Sequence, residues 1–116
     1  ILSHIPAISP YRERSAPIPA AILICIDRPS LPEDLSLGVQ SCAAATENML
    51  LAAHALGLGA VWTTIYPYTD RMLGFANLFS IPDNVSPFAL ITIGYPAVQP
   101  KTEHHYNKGR VHRNRW

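Results

Sequence analysis

Between Pro32 and Pro67 the chain carries no proline, although eleven prolines are spread over its 116 residues. From Leu35 to Leu56 the sequence is also rich in alanine, the residue that loses least on entering a helix. Glu33 and Asp34 put negative charge near the start of the run, where the helix dipole favours it. This pattern predicts one long helix over residues 35–56. Gly57 and Gly59 then end it, because glycine adopts the left-handed conformation of a C-terminal cap at low cost. Within the run Leu37, Cys42, Ala45, Met49, Ala53 and Leu56 recur at helical spacing, while Ala43, Ala44, Ala52 and Ala55 are small enough to let another helix approach. Little of such a helix is suited to water, so it calls for cover on more than one side.

The flanking segments have strand character. Residues 20–26, Ala-Ala-Ile-Leu-Ile-Cys-Ile, are continuously apolar and stop at Asp27, as expected of a strand buried on both faces and therefore central in its sheet. Residues 60–66 supply a second strand. Residues 70–79 read as a short helix with Asp70 near its start, and residues 88–94 as a third strand. The order strand, helix, strand, helix, strand implies a layered α+β (α/β layered) domain with helices covering a sheet, and leaves strand direction and order open. Before all this, Pro6, Pro10, Pro17 and Pro19 deny residues 1–19 a long helix and make them a turn-rich connector.

Length and composition narrow the field. A chain of 116 residues supports one core, so residues 1–116 are expected to form a single domain, and 48% hydrophobic residues against 15% charged is rich for that size. A net charge of +1 gives no case for a nucleic-acid partner, and no apolar run approaches the roughly 20 residues that span a bilayer. The opening residue is Ile1 rather than Met and no signal-peptide pattern follows, so the N-terminal part of the domain is expected to lie upstream. Cys25 and Cys42 lack the spacing of a zinc or redox site and read as buried thiols in a reducing, cytoplasmic setting.

Several side chains invite chemical readings. Ser41, His54 and Asp70 include the residue types of a hydrolase triad, but no nucleophile-elbow sequence surrounds the serine. Glu103, His104, His105 and His112 include metal-ligating types, yet adjacent histidines point apart in extended chain and no further ligand stands at suitable spacing. The Gly57-Leu58-Gly59 pair is a helix cap before it is a ligand loop. Thr63 and Thr64 follow Trp62 in the second strand, where one face is buried and the other could meet a flat aromatic ligand. Lys108 and Arg110 lie two apart, so in extended chain their charges project to one side and could clamp a phosphate, or simply be solvated.

The segment Cys42-Ala-Ala-Ala-Thr-Glu-Asn48, followed by Leu50-Leu-Ala-Ala-His-Ala-Leu-Gly-Leu-Gly-Ala-Val-Trp62, resembles the central helix and following strand of the nitroreductase family. The resemblance continues in order through Ile65-Tyr-Pro67, Ile81-Pro82, Pro87-Phe-Ala-Leu-Ile-Thr-Ile-Gly-Tyr-Pro96 and the ending from Arg110-Val-His112 to Trp116, covering residues 16–116. It implies an α+β sandwich that works as a homodimer, with the long helix at the subunit contact and FMN in the cleft between subunits. By position Trp62, Thr63, Thr64 and Ile65 match the segment beside the isoalloxazine, where a backbone amide donates to flavin N5, and Lys108 and Arg110 match the basic pair on the FMN phosphate. His105 stands where some relatives have arginine. The family's opening Arg-Arg-Ser and Pro-Ser-x-x-Asn-x-Gln-Pro-Trp type segments have no counterpart in these residues.

The implied activity is ping-pong hydride transfer through FMN, from NAD(P)H to a small-molecule electron acceptor such as a nitroaromatic or a quinone. The cofactor carries that chemistry, so no catalytic side chain is assigned. Two other readings fit the same residues: a module that dimerises through its alanine-rich helix without flavin, and a flavoenzyme of the same architecture with another reaction, such as dehalogenation or flavin breakdown.

Overall fold

The computed structural model describes residues 2–5, 17–28, 35–98, 101 and 105–116; Pro6, Pro10, Pro29, Pro32, Glu33, Asp34, Glu103 and His104 lie outside the described residues. Strand β1 (Ala20–Asp27) leads to helix α1 (Ser36–Ala55), then to strand β2 (Gly59–Thr64), helix α2 (Thr69–Phe79) and strand β3 (Val85–Gly94). Short 3-10 turns at Leu2–His4 and Lys108–Arg110 flank this unit. The predicted order of elements and the α+β class both hold.

The sheet runs β1-β3-β2, with β3 antiparallel to each neighbour. β1 and β2 therefore point the same way and are joined by α1 across the strand inserted between them, a split β-α-β arrangement. Here the expectation that the first strand is central is corrected. Both apolar runs could fill a middle position, but residues Ser86 to Ile91 of β3 are buried without a break, whereas the first half of β1 alternates between exposed and half-buried positions. β1 lies at one edge of the described sheet.

Pro87 explains why the sequence reading began this strand only at Phe88. A proline cannot donate to a ladder and is normally kept out of central strands. The register shifts between Ile24 and Cys25, pairing Ile24 with Ala89 and Cys25 with Pro87, so Phe88 is the extra residue of a bulge. Phe88 and Ala89, neighbours in sequence, consequently both pack in the cluster under α1. The bulge lets β3 start three residues earlier than its apolar run, at Val85.

Two apolar layers hold the helices on. On one face Ile24, Ile26, Ala89 and Ile91 meet Leu35, Val39, Cys42, Ala43, Met49 and Leu50 of the α1 region. On the other, Ile5, Ile65, Phe75 and Leu90 pack with Met72, Leu78 and Phe79 of α2. The stripe that α1 buries keeps Cys42, Met49 and Ala53 of the expected set but not its two end positions. Leu37 and Leu56 are 58% and 76% exposed, because at its period of 3.6 residues per turn the inward face falls on Val39, Cys42, Thr46, Met49 and Ala53. Thr46, fully buried there, donates its hydroxyl to the Cys42 carbonyl at 2.7 Å and so buries no orphaned polar group.

The predicted C-terminal cap is present. Gly57 sits at φ +73°, its N–H reaches the His54 carbonyl at 3.0 Å, and the Leu58 N–H reaches Ala53 at 2.9 Å, the paired bonds of a Schellman turn. On the opposite layer Phe75 is fully buried and anchors α2. Phe75→Ala is expected to cost about 3–5 kcal/mol, and Leu73→Ala, at an exposed position on the same helix, less than about 1 kcal/mol. Urea denaturation of the two variants of the intact protein checks the difference.

Candidate functional site at the outer edge of β2

β2 has β3 on one side and no described strand on the other. The Ile65 N–H donates to the Phe88 carbonyl at 3.2 Å, and the Tyr66 N–H reaches the same oxygen at 2.9 Å. Hydrogen-bonding direction alternates along an antiparallel strand. With Thr63 opposite Leu90 and Ile65 donating to Phe88, the backbone groups of Trp62 and Thr64 point the other way, to the open edge. One observation fixes that direction independently: Arg71 Nη1 donates to the Thr64 carbonyl at 2.9 Å from outside the sheet.

The four predicted positions on this strand thus divide. Thr63 and Ile65 are buried on the α2 side, as core residues. Trp62 packs on the α1 side against Phe88, ring centroids 6.0 Å apart, while Thr64 is exposed at the end of the strand. The Trp62 indole Nε1 is buried with no hydrogen-bond partner among the described residues. A buried donor left in that state costs about 1–3 kcal/mol.

Arg71 was not singled out in the sequence, where residues 70–79 read only as a short helix. It stands in the first turn of α2, where a cation opposes the helix dipole by about 0.3–1 kcal/mol. That mismatch is the signal by which it could have been found. Its guanidinium carbon lies 4.1 Å over the Tyr68 ring, and the Tyr68 N–H in turn donates to the Ile65 carbonyl at 2.9 Å. The turn after β2, which contains the cis Tyr66–Pro67 bond, thereby brings a fixed positive charge to the strand edge.

Lys108 and Arg110 are exposed, as a phosphate-binding pair must be before its ligand arrives. Their backbone is not the extended chain expected. They lie in a 3-10 turn closed by Arg110 N–H to the Asn107 carbonyl at 3.0 Å, with the Asn107 side chain accepting from the Gly109 N–H at 3.0 Å. The glycine between them and the carboxamide before them favour the turn over the strand. Side chains two apart in such a turn do not share a face, so the structure does not align the two charges in the way supposed.

The remaining candidates disperse. His54 and Ser41 are exposed on α1, and Asp70 lies in α2. No group of three His, Cys, Asp or Glu residues able to hold a metal occurs among the described residues, and none of their helices is long and apolar enough to cross a membrane. Cys25 and Cys42 are half-buried free thiols, Cys42 Sγ donating to the Cys25 carbonyl at 3.6 Å. Burial pushes both thiols above the ordinary range, and the neighbouring Cys42 adds to the effect on Cys25.

Residues 9–95 match the nitroreductase family. The chain belongs to the nitroreductase family. A relative from Methanothermobacter thermautotrophicus, provisionally named an NADH dehydrogenase/NAD(P)H nitroreductase, is 46% identical over all 116 residues, which span 60% of that relative's length. A similarly named protein of known structure from Bacteroides thetaiotaomicron superposes with a TM-score of 0.88 at 35% identity, over 99% of this chain and 66% of that one. A provisionally named nitroreductase from Desulfovibrio desulfuricans, solved in complex with FMN, gives a TM-score of 0.71 at 27% identity, covering 99% and 66%.

One consequence of the thiol environment is measurable at once. A thiol whose protonated form is favoured by burial is a poor nucleophile at neutral pH. Alkylation of Cys25 and Cys42 by iodoacetamide in the native protein is expected to be slower than that of glutathione at pH 7.5, and to accelerate only as pH rises above the usual thiol range. Peptide mass mapping over time checks it.

Proposed function

We propose that this chain is part of an FMN-dependent NAD(P)H oxidoreductase that reduces nitroaromatics, quinones or similar electron-poor acceptors. The observation that carries the reading is the Thr64 N–H pointing from the open edge of β2 beside the Arg71 guanidinium. At Thr64 that edge offers an outward N–H whose neighbouring carbonyl is already occupied by Arg71, which suits an acceptor on the rim of a flavin ring. When bound, FMN supplies hydride acceptance from NAD(P)H and hydride donation to the acceptor.

The chain's own residues divide the remaining work. Thr64 offers its main-chain N–H to a ring acceptor, which is why its side chain need not be conserved in polarity for the task. Trp62 and Ile65 hold the strand in place from opposite faces, and Thr63 fills the core behind it. Lys108 and Arg110, solvated and unconstrained by ion pairs to the described chain, are the candidates for the phosphate, an anion that Arg meets in bidentate fashion. Support comes from the FMN found with the Desulfovibrio desulfuricans protein and from the NAD(P)H named for the Methanothermobacter thermautotrophicus relative.

The same reading makes the working unit a homodimer. The outward stripe of α1 runs through Leu37, Ser41, Ala44, Asn48, Leu51 and Ala55, uncharged and mostly small or apolar residues at helical spacing, with Leu51 58% exposed. A second copy of this helix would cover that stripe and let the backbones approach closely at Ala44 and Ala55. Leu51→Arg is expected to convert the dimer to monomer, read by sedimentation equilibrium of the full-length protein.

The direct test of the flavin site separates backbone from side chain. Purified full-length protein should show visible flavin absorption that bleaches on adding NAD(P)H. Thr64→Pro removes the outward N–H at an edge position where the sheet loses no bond, and should weaken FMN binding about tenfold or more. Thr64→Ala keeps the N–H and should bind FMN as the parent does. A protein that takes up no FMN from excess cofactor sinks the reading and leaves a dimerising module without flavin.

A further inference from the structure

We infer that Arg71 is a positioning residue that leaves the Thr64 end of the β2 edge with a donor and no free acceptor, an inference that rests on the FMN reading above. An open strand edge normally presents N–H and C=O groups in alternation. At Thr64 both groups face outward from the same residue. Arg71 Nη1 takes up the carbonyl at 2.9 Å. The N–H is then the backbone group still offered to a ligand there, and a permanent cation stands beside it.

Three features on different elements converge on that role. Arg71 occupies the first turn of α2, against the helix dipole, so helix stability does not explain its place. Its guanidinium carbon lies 4.1 Å over the Tyr68 ring centroid. The peptide joining Thr64 to Ile65 is gripped at both ends, its oxygen by Arg71 and its N–H by the Phe88 carbonyl at 3.2 Å. Hydrogen bonds chained in this way polarise one another, and the Thr64–Ile65 peptide, which follows the plane carrying the Thr64 N–H, cannot rotate without breaking two of them. A lysine could not reproduce the arrangement, since an ammonium has no plane to stack while it donates.

The edge so formed suits a ligand that presents an acceptor to Thr64 and becomes more negative when it receives a hydride. Arg71 therefore favours the reduced over the oxidised state of the bound ring through its charge and not through a contact with the ring.

The test uses full-length protein loaded with FMN. Dissociation constants for oxidised and reduced FMN, together with a dye-coupled potentiometric titration, are compared for wild type, Arg71→Met and Arg71→Lys. Arg71→Met is expected to lose on the order of tenfold more affinity for reduced than for oxidised FMN, moving the midpoint potential to more negative values. Arg71→Lys keeps the charge and should weaken both states with little change in potential. If Arg71→Met fails to fold, Arg71→Gln, which retains a donor for the Thr64 carbonyl but no charge, should show the same negative shift. Equal losses in both states for the uncharged variants, or none, overturn the inference. A wild-type protein that binds no FMN overturns the flavin reading itself and with it this one, and that result is read before any substitution is made.

Discussion

The structure depends on β3 being bonded along both sides at once. Its ladder with β1 and its ladder with β2 fix the two outer strands parallel to each other, and that direction obliges α1 to cross one face while α2 returns the chain over the other. The bulge at Phe88 is the point where the two ladders differ. On the β1 side this residue has no opposite number, and on the β2 side its carbonyl receives two N–H groups, from Ile65 and Tyr66. Strand pairing with β2 ends there, the chain leaves the sheet, and the outward groups of Thr64 are left at the brink of the turn.

Much of this was legible because the elements obey local rules. The absence of proline over residues 35–56, the glycine needed at φ +73° after the helix, and the apolar runs of the strands each follow from the physics of single segments. What was not legible depends on pairs of segments. Nothing in residues 20–26 alone distinguishes a central from an edge strand, since that is decided by which neighbour β3 chooses on each side. Likewise Leu37 and Leu56 look like core in a list of apolar positions and fail as core because the phase of the helix turns Val39, Cys42 and Met49 to the sheet, with Thr46 buried among them. A polar residue at the centre of the buried stripe is the kind of exception that pattern reading discards.

The candidate site shows the same division. The segment from Trp62 to Ile65 could be named from sequence, but its side chains gave little reason to prefer it, because what matters there is main chain. Only the register with β3 tells which amides face outward, and only the fold brings Arg71 to the carbonyl of Thr64. The tail pair Lys108 and Arg110 illustrates the converse: residue type was readable, while geometry was not, because Asn107 and Gly109 close a turn where extended chain was expected.

The two arginines that flank the sheet make the asymmetry of its edges plain. Arg28, just after β1, turns inward: its N–H donates to the carbonyl of Asn84, the residue before β3, at 2.9 Å and its Nε to the hydroxyl of Ser86 within β3 at 2.8 Å. It extends the ladder and satisfies Ser86, a buried polar side chain, so its role is complete within the fold. Arg71 does the opposite, meeting the sheet from its outer side at a residue whose N–H is turned away from β3. A cation placed to finish a strand pairing strengthens what is already there, whereas one placed beside an outward amide leaves a polar edge that the described chain does not itself complete. The difference between those two placements, more than any single residue type, is what marks the β2 edge rather than the β1 edge as the candidate site.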